Sequence, residues 1–203
     1  MERKNLDFAE TFRDALAIGV KNAPSIIAAV ALWLATIWIP YLNVGTTIAI
    51  SLLPTELAKG SVINPLGIFD SKYRRYMGEY FITTGLMIVP IFAGVLFGFV
   101  PAIVLSIAWS LAYYYLIETG KNPIEAIKAS NDATYGSKWL IFGVSAVFGF
   151  ALTFVLALLQ AICGVINVGF ITFLAMLLFA VLASSIGMAI KASIWKQLKD
   201  NVR

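Results

Sequence analysis

Charged and uncharged positions along this chain fall in long blocks rather than with the short period of a soluble protein. Three stretches, 23–55, 80–117 and 139–190, contain no Asp, Glu, Lys or Arg, and charged segments at 1–22, 56–79, 118–138 and 191–203 flank and separate them. A helix crossing hydrocarbon needs roughly 20 apolar residues, so each uncharged stretch has room for two helices and a turn. In the first, Ser25 to Ile39 reads as a helix, Pro40, Asn43 and Gly45 as a turn, and Thr46 to Leu53 as a second, short helix. In the second, Tyr80 to Phe97 and Ala102 to Ile117 flank Gly98-Phe99-Val100-Pro101, where glycine freedom and the missing proline donor favour reversal. The third divides around Cys163 to Gly169, with Asn167 inside the turn. The expectation is an all-α polytopic membrane protein: a single domain over 1–203, with six transmembrane helices as three hairpins.

Each hairpin is preceded by a charged segment that reads as a short amphipathic helix lying in the interface. In 1–22, Asp7 offers a cap and Phe8, Phe12 and Leu16 recur at four-residue spacing. In 56–79, Leu66, Phe69, Tyr73 and Tyr76 form the apolar stripe, leaving Lys72 and Arg75 for headgroups or water. Asn64-Pro65 is followed by Gly78 and then Tyr80-Phe81; at an offset of 58, Asn122-Pro123 is followed by Gly136 and then Trp139. Asn-Pro suits an N-cap and first helical position, and Glu125 completes a capping box with Asn122. The tail 191–203 repeats the scheme with Ile194, Trp195, Leu198 and Val202 on the apolar side. Lys72, Arg75, Lys128, Lys196 and Lys199 are the candidate lipid-headgroup contacts.

Composition agrees: 60% of residues are hydrophobic and the mean hydropathy is +0.87, well above soluble values. The fifteen Lys and Arg divide as four, four, three and four among the charged segments, and the expected turns carry none. By the positive-inside rule both termini and every charged segment face the cytoplasm. The first segment is too charged for a signal-peptide n-region. The net charge of +4 is dispersed beside membrane segments, so no nucleic-acid partner is expected. Cys163 is alone and histidine is absent, which excludes an intrachain disulfide and a Cys/His metal site; no cofactor is expected.

Chemistry inside the membrane is sparse. Uncharged spans leave no buried proton relay or gating-charge array, and no P-loop, G-x-S-x-G or H-E-x-x-H motif is present. An enzyme would have to use interfacial acids such as Glu56, Asp70, Glu79 and Glu118, although Glu79 is one helical turn from Arg75 and suited to pairing with it. The candidate polar path or site comprises Asn43, Thr46, Thr47, Thr83, Thr84, Ser106 and Ser110. Small-xxx-small pairs recur in every expected span, and Gly94/Gly98 is the strongest candidate for a helix-packing or oligomer face. The first hairpin is short: about 15 residues at ~1.5 Å each give ~22 Å against a core of roughly 30 Å, which thinning or a re-entrant pair would accommodate.

The segment Glu118 to Ser130, running into Gly136 and Trp139, resembles a segment of a prokaryotic six-span group. That group includes YciC-like inner-membrane proteins and the membrane domain fused to some glycerophosphodiester phosphodiesterases. The Pro40 to Gly45 turn and Ile68-Phe69 are also similar. The resemblance implies a protein of the cytoplasmic membrane of a bacterium or archaeon and brings no catalytic residues. The leading functional expectation is a non-enzymatic protein that binds or passes lipid-like or neutral small molecules, with membrane lipids and a homo-oligomer or partner membrane protein as its partners. The alternative is a membrane scaffold or partner subunit, such as the substrate-binding type of a vitamin transporter; a membrane-embedded lipid enzyme comes last. A binding protein should show a polar-lined cavity reaching toward Thr46, Thr83 or Ser106, and a scaffold should be packed solid.

Overall fold

A computed structural model describes residues 4–166 and 169–202, and these form helices joined by short turns, with no strand among them. In chain order the helices are α1 (Phe8–Thr36), α2 (Leu42–Leu57), a 3-10 turn (Pro65–Phe69), α3 (Ser71–Arg75), α4 (Met77–Leu96), α5 (Val100–Ala108), α6 (Ala112–Glu118), α7 (Pro123–Thr134), α8 (Lys138–Ile166) and α9 (Gly169–Leu198). Five segments are long and apolar enough to cross a membrane: α1, α4, α5 with α6, and most of α8 and of α9. Their outward faces are apolar as well, with Phe150 78% and Phe154 71% exposed on α8. Water would penalise such surfaces and hydrocarbon does not, so the chain is a membrane protein.

The first charged segment is not a separate interfacial helix. α1 runs unbroken from Phe8 through Pro24 to Thr36. The face it buries is Thr11, Ala15, Gly19 and Asn22, at helical spacing, rather than Phe8, Phe12 and Leu16, of which Leu16 is exposed. These residues pack along α9, α1's most extensive partner. A Cβ on Gly19 would lie 3.1 Å from the Ile186 Cα, so small residues bring the two backbones together. A polar seam then locks them. Gln197 accepts the Asp7 amide (2.8 Å) and donates to the hydroxyls of Thr11 and Ser193 (both 3.1 Å), and Lys196 reaches Asp14 at 2.9 Å. At the extremity the Asn201 side chain accepts the Lys4 amide (3.0 Å) and donates to the Lys4 carbonyl (2.7 Å). The start of α1 and the end of α9 therefore lie side by side.

The C-terminal tail is likewise no interfacial element as far as Leu198, since it is the last part of α9. Ile194, Trp195 and Leu198 are buried against protein, with the rings of Tyr114 and Tyr115 edge-on to Trp195 at 5.5 and 4.8 Å. The 56–79 segment is split as well. Asp70 caps Lys72 through its amide, ending the 3-10 turn and starting α3, so Ile68 and Tyr73 are buried while Leu66 is 63% exposed. The segment 118–138 does hold the expected helix, and both halves of the Asn122/Glu125 capping box form.

α2 starts at Leu42, earlier than Thr46, after a turn in which Tyr41 takes a φ of 69°. It is deeply sheathed, with Ile48, Leu52 and Leu57 wholly buried. Trp33 Nε1 donates to Thr47 (2.9 Å), and the hydroxyls of Thr36 and Thr46 are 3.0 Å apart, pairing α1 with α2. α4 and α5 meet at Gly94, and Phe148 of α8 faces Gly187 of α9. The expected second helix of 80–117 breaks at Trp109 to Leu111. Ser130 of α7 makes that break tolerable, because its hydroxyl donates to Ala108 O (2.7 Å) and accepts the Leu111 amide (3.0 Å). Asn167, expected in the third turn, lies outside the described residues.

Candidate functional site

Two places in the molecule gather functional groups, one at the charged end and one between helices. At the charged end, Lys59 stands between two carboxylates, 2.8 Å from Glu56 and 3.9 Å from Glu118, while Lys72 approaches Glu56 at 3.2 Å and lies over the Tyr73 ring. Thr55 donates to Glu118 at 3.0 Å. Partial burial works to raise the Glu56 carboxyl, but hydrogen bonds and charge from Lys59 and Lys72 outweigh it and hold the group below the usual glutamate value. Burial raises the Tyr73 phenol, keeping it neutral. Glu56, Glu118 and Asp70 each already have a cation or a cap to serve. Asp70 holds the Lys72 amide, and Glu79 is exposed without the ion pair to Arg75 that helical spacing suggested. No cluster of three metal-ligating side chains occurs among the described residues. The arrangement ties α2, α3 and α6 together electrostatically.

The second place is a groove of about 830 Å³ between the α4–α6 and α8–α9 helices, open along one side. That volume lies within the range of small-molecule sites, roughly 300–1,000 Å³. α8 contributes Ile141, Ser145, Phe148 and Leu152; α9 contributes Ser184, Gly187, Met188, Lys191 and Ile194. Their spacing places each set on one helix face, and the eleven-residue reach from Ile141 to Leu152 spans about 16 Å at ~1.5 Å per residue. The facing wall carries Met87, Ile91, Ser106, Trp109, Ser110 and Tyr113.

The groove is apolar in effect despite its hydroxyls. Ser51, Ser106, Ser145 and Ser184 each donate to the carbonyl four residues earlier, and Ser110 to Ile107 O, at 2.7–3.0 Å. None needs a ligand to satisfy its donor. Lys191 differs: it is exposed, makes no ion pair among the described residues, and is the one formally charged residue lining the groove.

The residues singled out from sequence are only partly brought together. Ser106 and Ser110 line the groove, whereas Asn43, Thr46 and Thr47 hydrogen-bond among themselves and with α1. Thr83 and Thr84 donate to the carbonyls of Glu79 and Tyr80 (both 2.7 Å), and Thr84 also meets the Tyr113 hydroxyl. The expected cavity reaches Ser106 but neither Thr46 nor Thr83. Among the headgroup candidates, Lys72 and Lys196 are held by Glu56 and Asp14, while Arg75, Lys128 and Lys199 are exposed and make no ion pair among the described residues. Gly94 serves helix packing within the chain, buried where α4 meets the Ala102 backbone, and Gly98 takes a φ of 105° at the turn. Lys191 was passed over in sequence as one basic residue of a tail, although its i, i+3, i+4, i+7 relation to Ser184, Gly187 and Met188 was legible there. Comparison of the chain with models of known families, with curated proteins and with solved structures found no match.

Proposed function

We propose that this protein binds a lipid-like amphiphile in the groove between α4–α6 and α8–α9, taken sideways from the bilayer. One observation carries the reading: a volume of about 830 Å³ is left open between α4–α6 and α8–α9, lined mainly by apolar side chains and by serines that donate to their own helices. A scaffold would gain packing energy by closing such a space. Lipid tails make few directional demands and fit a wall that makes none. The test is lipid retention by the purified protein under native mass spectrometry. Ser145→Trp, which fills the groove, should strip retained lipid, whereas Thr153→Trp, on the same helix but not among the groove's lining residues, should not. Equal retention by both variants refutes the reading.

For topology, the same proposal takes six crossings as three antiparallel pairs, with the charged segments on the cytoplasmic side of a prokaryotic cytoplasmic membrane. Parity supports an even number. Five crossings would leave the chain ends on opposite faces, yet Lys4 is bonded to Asn201 and Asp14 to Lys196. The Trp33–Thr47, Thr84–Tyr113 and Phe148–Gly187 contacts fit three pairs, and the positive-inside bias and the resemblance of the Glu118–Ser130 segment point the same way. A second reading has one observation in its favour. The Arg74 side chain packs on Gly45, which is eleven residues, or about 16 Å, from Glu56 along α2, so a charged segment reaches beside the far end of that helix. On this reading α1 and α2 enter and return as a re-entrant pair, leaving four full crossings.

A further inference from the structure

The groove's lone cation specifies the class of its occupant. Resting on the groove reading above, we propose that the ligand is an anionic glycerophospholipid drawn from the leaflet at the charged end, with its phosphate at Lys191 and its acyl chains along α8 and α9 toward Leu152. Lys191 sits seven residues before the end of α9 at Leu198, about 10 Å inside that end along the helix axis, and precedes the polar seam of Ser193, Lys196 and Gln197. That is the depth at which a lipid phosphate meets its first carbons once the charged end lies in water. The neighbouring charges do not compensate it: Asp14 is taken by Lys196 on the α1 side of the helix, and the acids Glu56 and Glu118 are bridged by Lys59. Below Lys191 the α8 and α9 wall is Met188, Gly187, Phe148 and Leu152, and Ser145 and Ser184 there donate to their own helices, so this wall favours hydrocarbon. A lysine stem is apolar enough to lie along such a surface with its ammonium kept in the polar layer. An uncompensated ammonium at one end of an apolar trough complements a molecule with one negative head and a hydrocarbon body.

The site is tested by titrating the detergent-solubilised full chain with phosphatidylglycerol or phosphatidylcholine of the same acyl composition, reading bound lipid by native mass spectrometry. One basic contact near a membrane surface is worth ~1 kcal/mol, so wild type should prefer phosphatidylglycerol about fivefold. Lys191→Gln should abolish the preference while still binding phosphatidylcholine, Lys191→Arg should keep it, and Lys128→Gln, on the charged face, should leave it intact. A preference surviving Lys191→Gln, absent from wild type, or equally erased by Lys128→Gln overturns the assignment to Lys191 while the groove stands. Binding of both lipids by Ser145→Trp at wild-type strength overturns the groove itself, and with it the headgroup site.

Discussion

Gly94 offers the sharpest test of how the spans pack. A Cβ built there would stand 2.7 Å from the Ala102 amide nitrogen, 3.0 Å from its Cα and 3.2 Å from the Pro101 carbonyl carbon. All three are backbone atoms, so no rotamer change relieves the contact and α4 must move from α5. Forced overpacking of this kind costs about 1–3 kcal/mol. Alanine also gains up to ~1 kcal/mol of helix propensity over glycine, which obscures a simple comparison with wild type. Gly85 removes that ambiguity, since it lies in the same helix with nothing within 4 Å of its Cβ position. Both alanine variants gain the propensity term, so the difference between them isolates the steric one. Gly85→Ala should be neutral or stabilising, and Gly94→Ala should be less stable than Gly85→Ala by about 1–3 kcal/mol. Reversible unfolding in mixed micelles of rising SDS fraction, followed by circular dichroism, measures both. Chromatography of Gly94→Ala should show an unchanged oligomeric state. Equal stability of the two variants refutes the close approach of α4 and α5, and altered oligomerisation would restore Gly94 to an intermolecular face.

Asn22 is 2% exposed; its Oδ1 accepts the Ile63 amide at 3.1 Å and its Nδ2 donates to Ile18 O. Asn22→Leu should therefore cost about 1–3 kcal/mol by orphaning a buried amide, read as lowered stability in the same unfolding assay, and no change refutes the bond. Glu56 is held below its ordinary value, so its contribution to stability is present above pH 4.5 and is lost as pH falls through its depressed folded-state value. The acid limb of thermal stability should be shallower in Glu56→Gln than in wild type, and superimposable limbs sink the assignment. In a Cys163→Ser background, a single cysteine at Val100 should label from outside the cell and one at Lys128 only from inside. Labelling of Asn43→Cys from outside favours six crossings, and its failure to label while Val100→Cys reacts favours the re-entrant first pair.

Much of the architecture was legible because hydrocarbon is an intolerant solvent. The cost of burying an ionised group is large enough that the places where Asp, Glu, Lys and Arg are missing mark the apolar helices directly, and the Asn122-Pro123 cap announces α7 by purely local hydrogen bonding. Local signals failed where the interaction was distant. Nothing near Thr11, Ala15 and Gly19 says that this small-residue face would seal on Ile186 and Gln197, so a helix with an apolar stripe was read as lying on the membrane when it continues into α1 and pairs with α9. The break at Trp109 to Leu111 also depends on Ser130, whose hydroxyl is two elements away in sequence.

The sequence by itself determined that this chain lives in a membrane, that it is helical, and that its charges are kept out of three long stretches, since these follow from transfer energies of individual residues. Only the tertiary structure decided which faces meet, which lysines are held by Glu56 and Asp14, and that Lys191 lies beside an open groove with no ion pair among the described residues. Those outcomes depend on contacts between separate elements, up to the 182 positions that part Asp14 from Lys196, which no periodicity along one helix encodes.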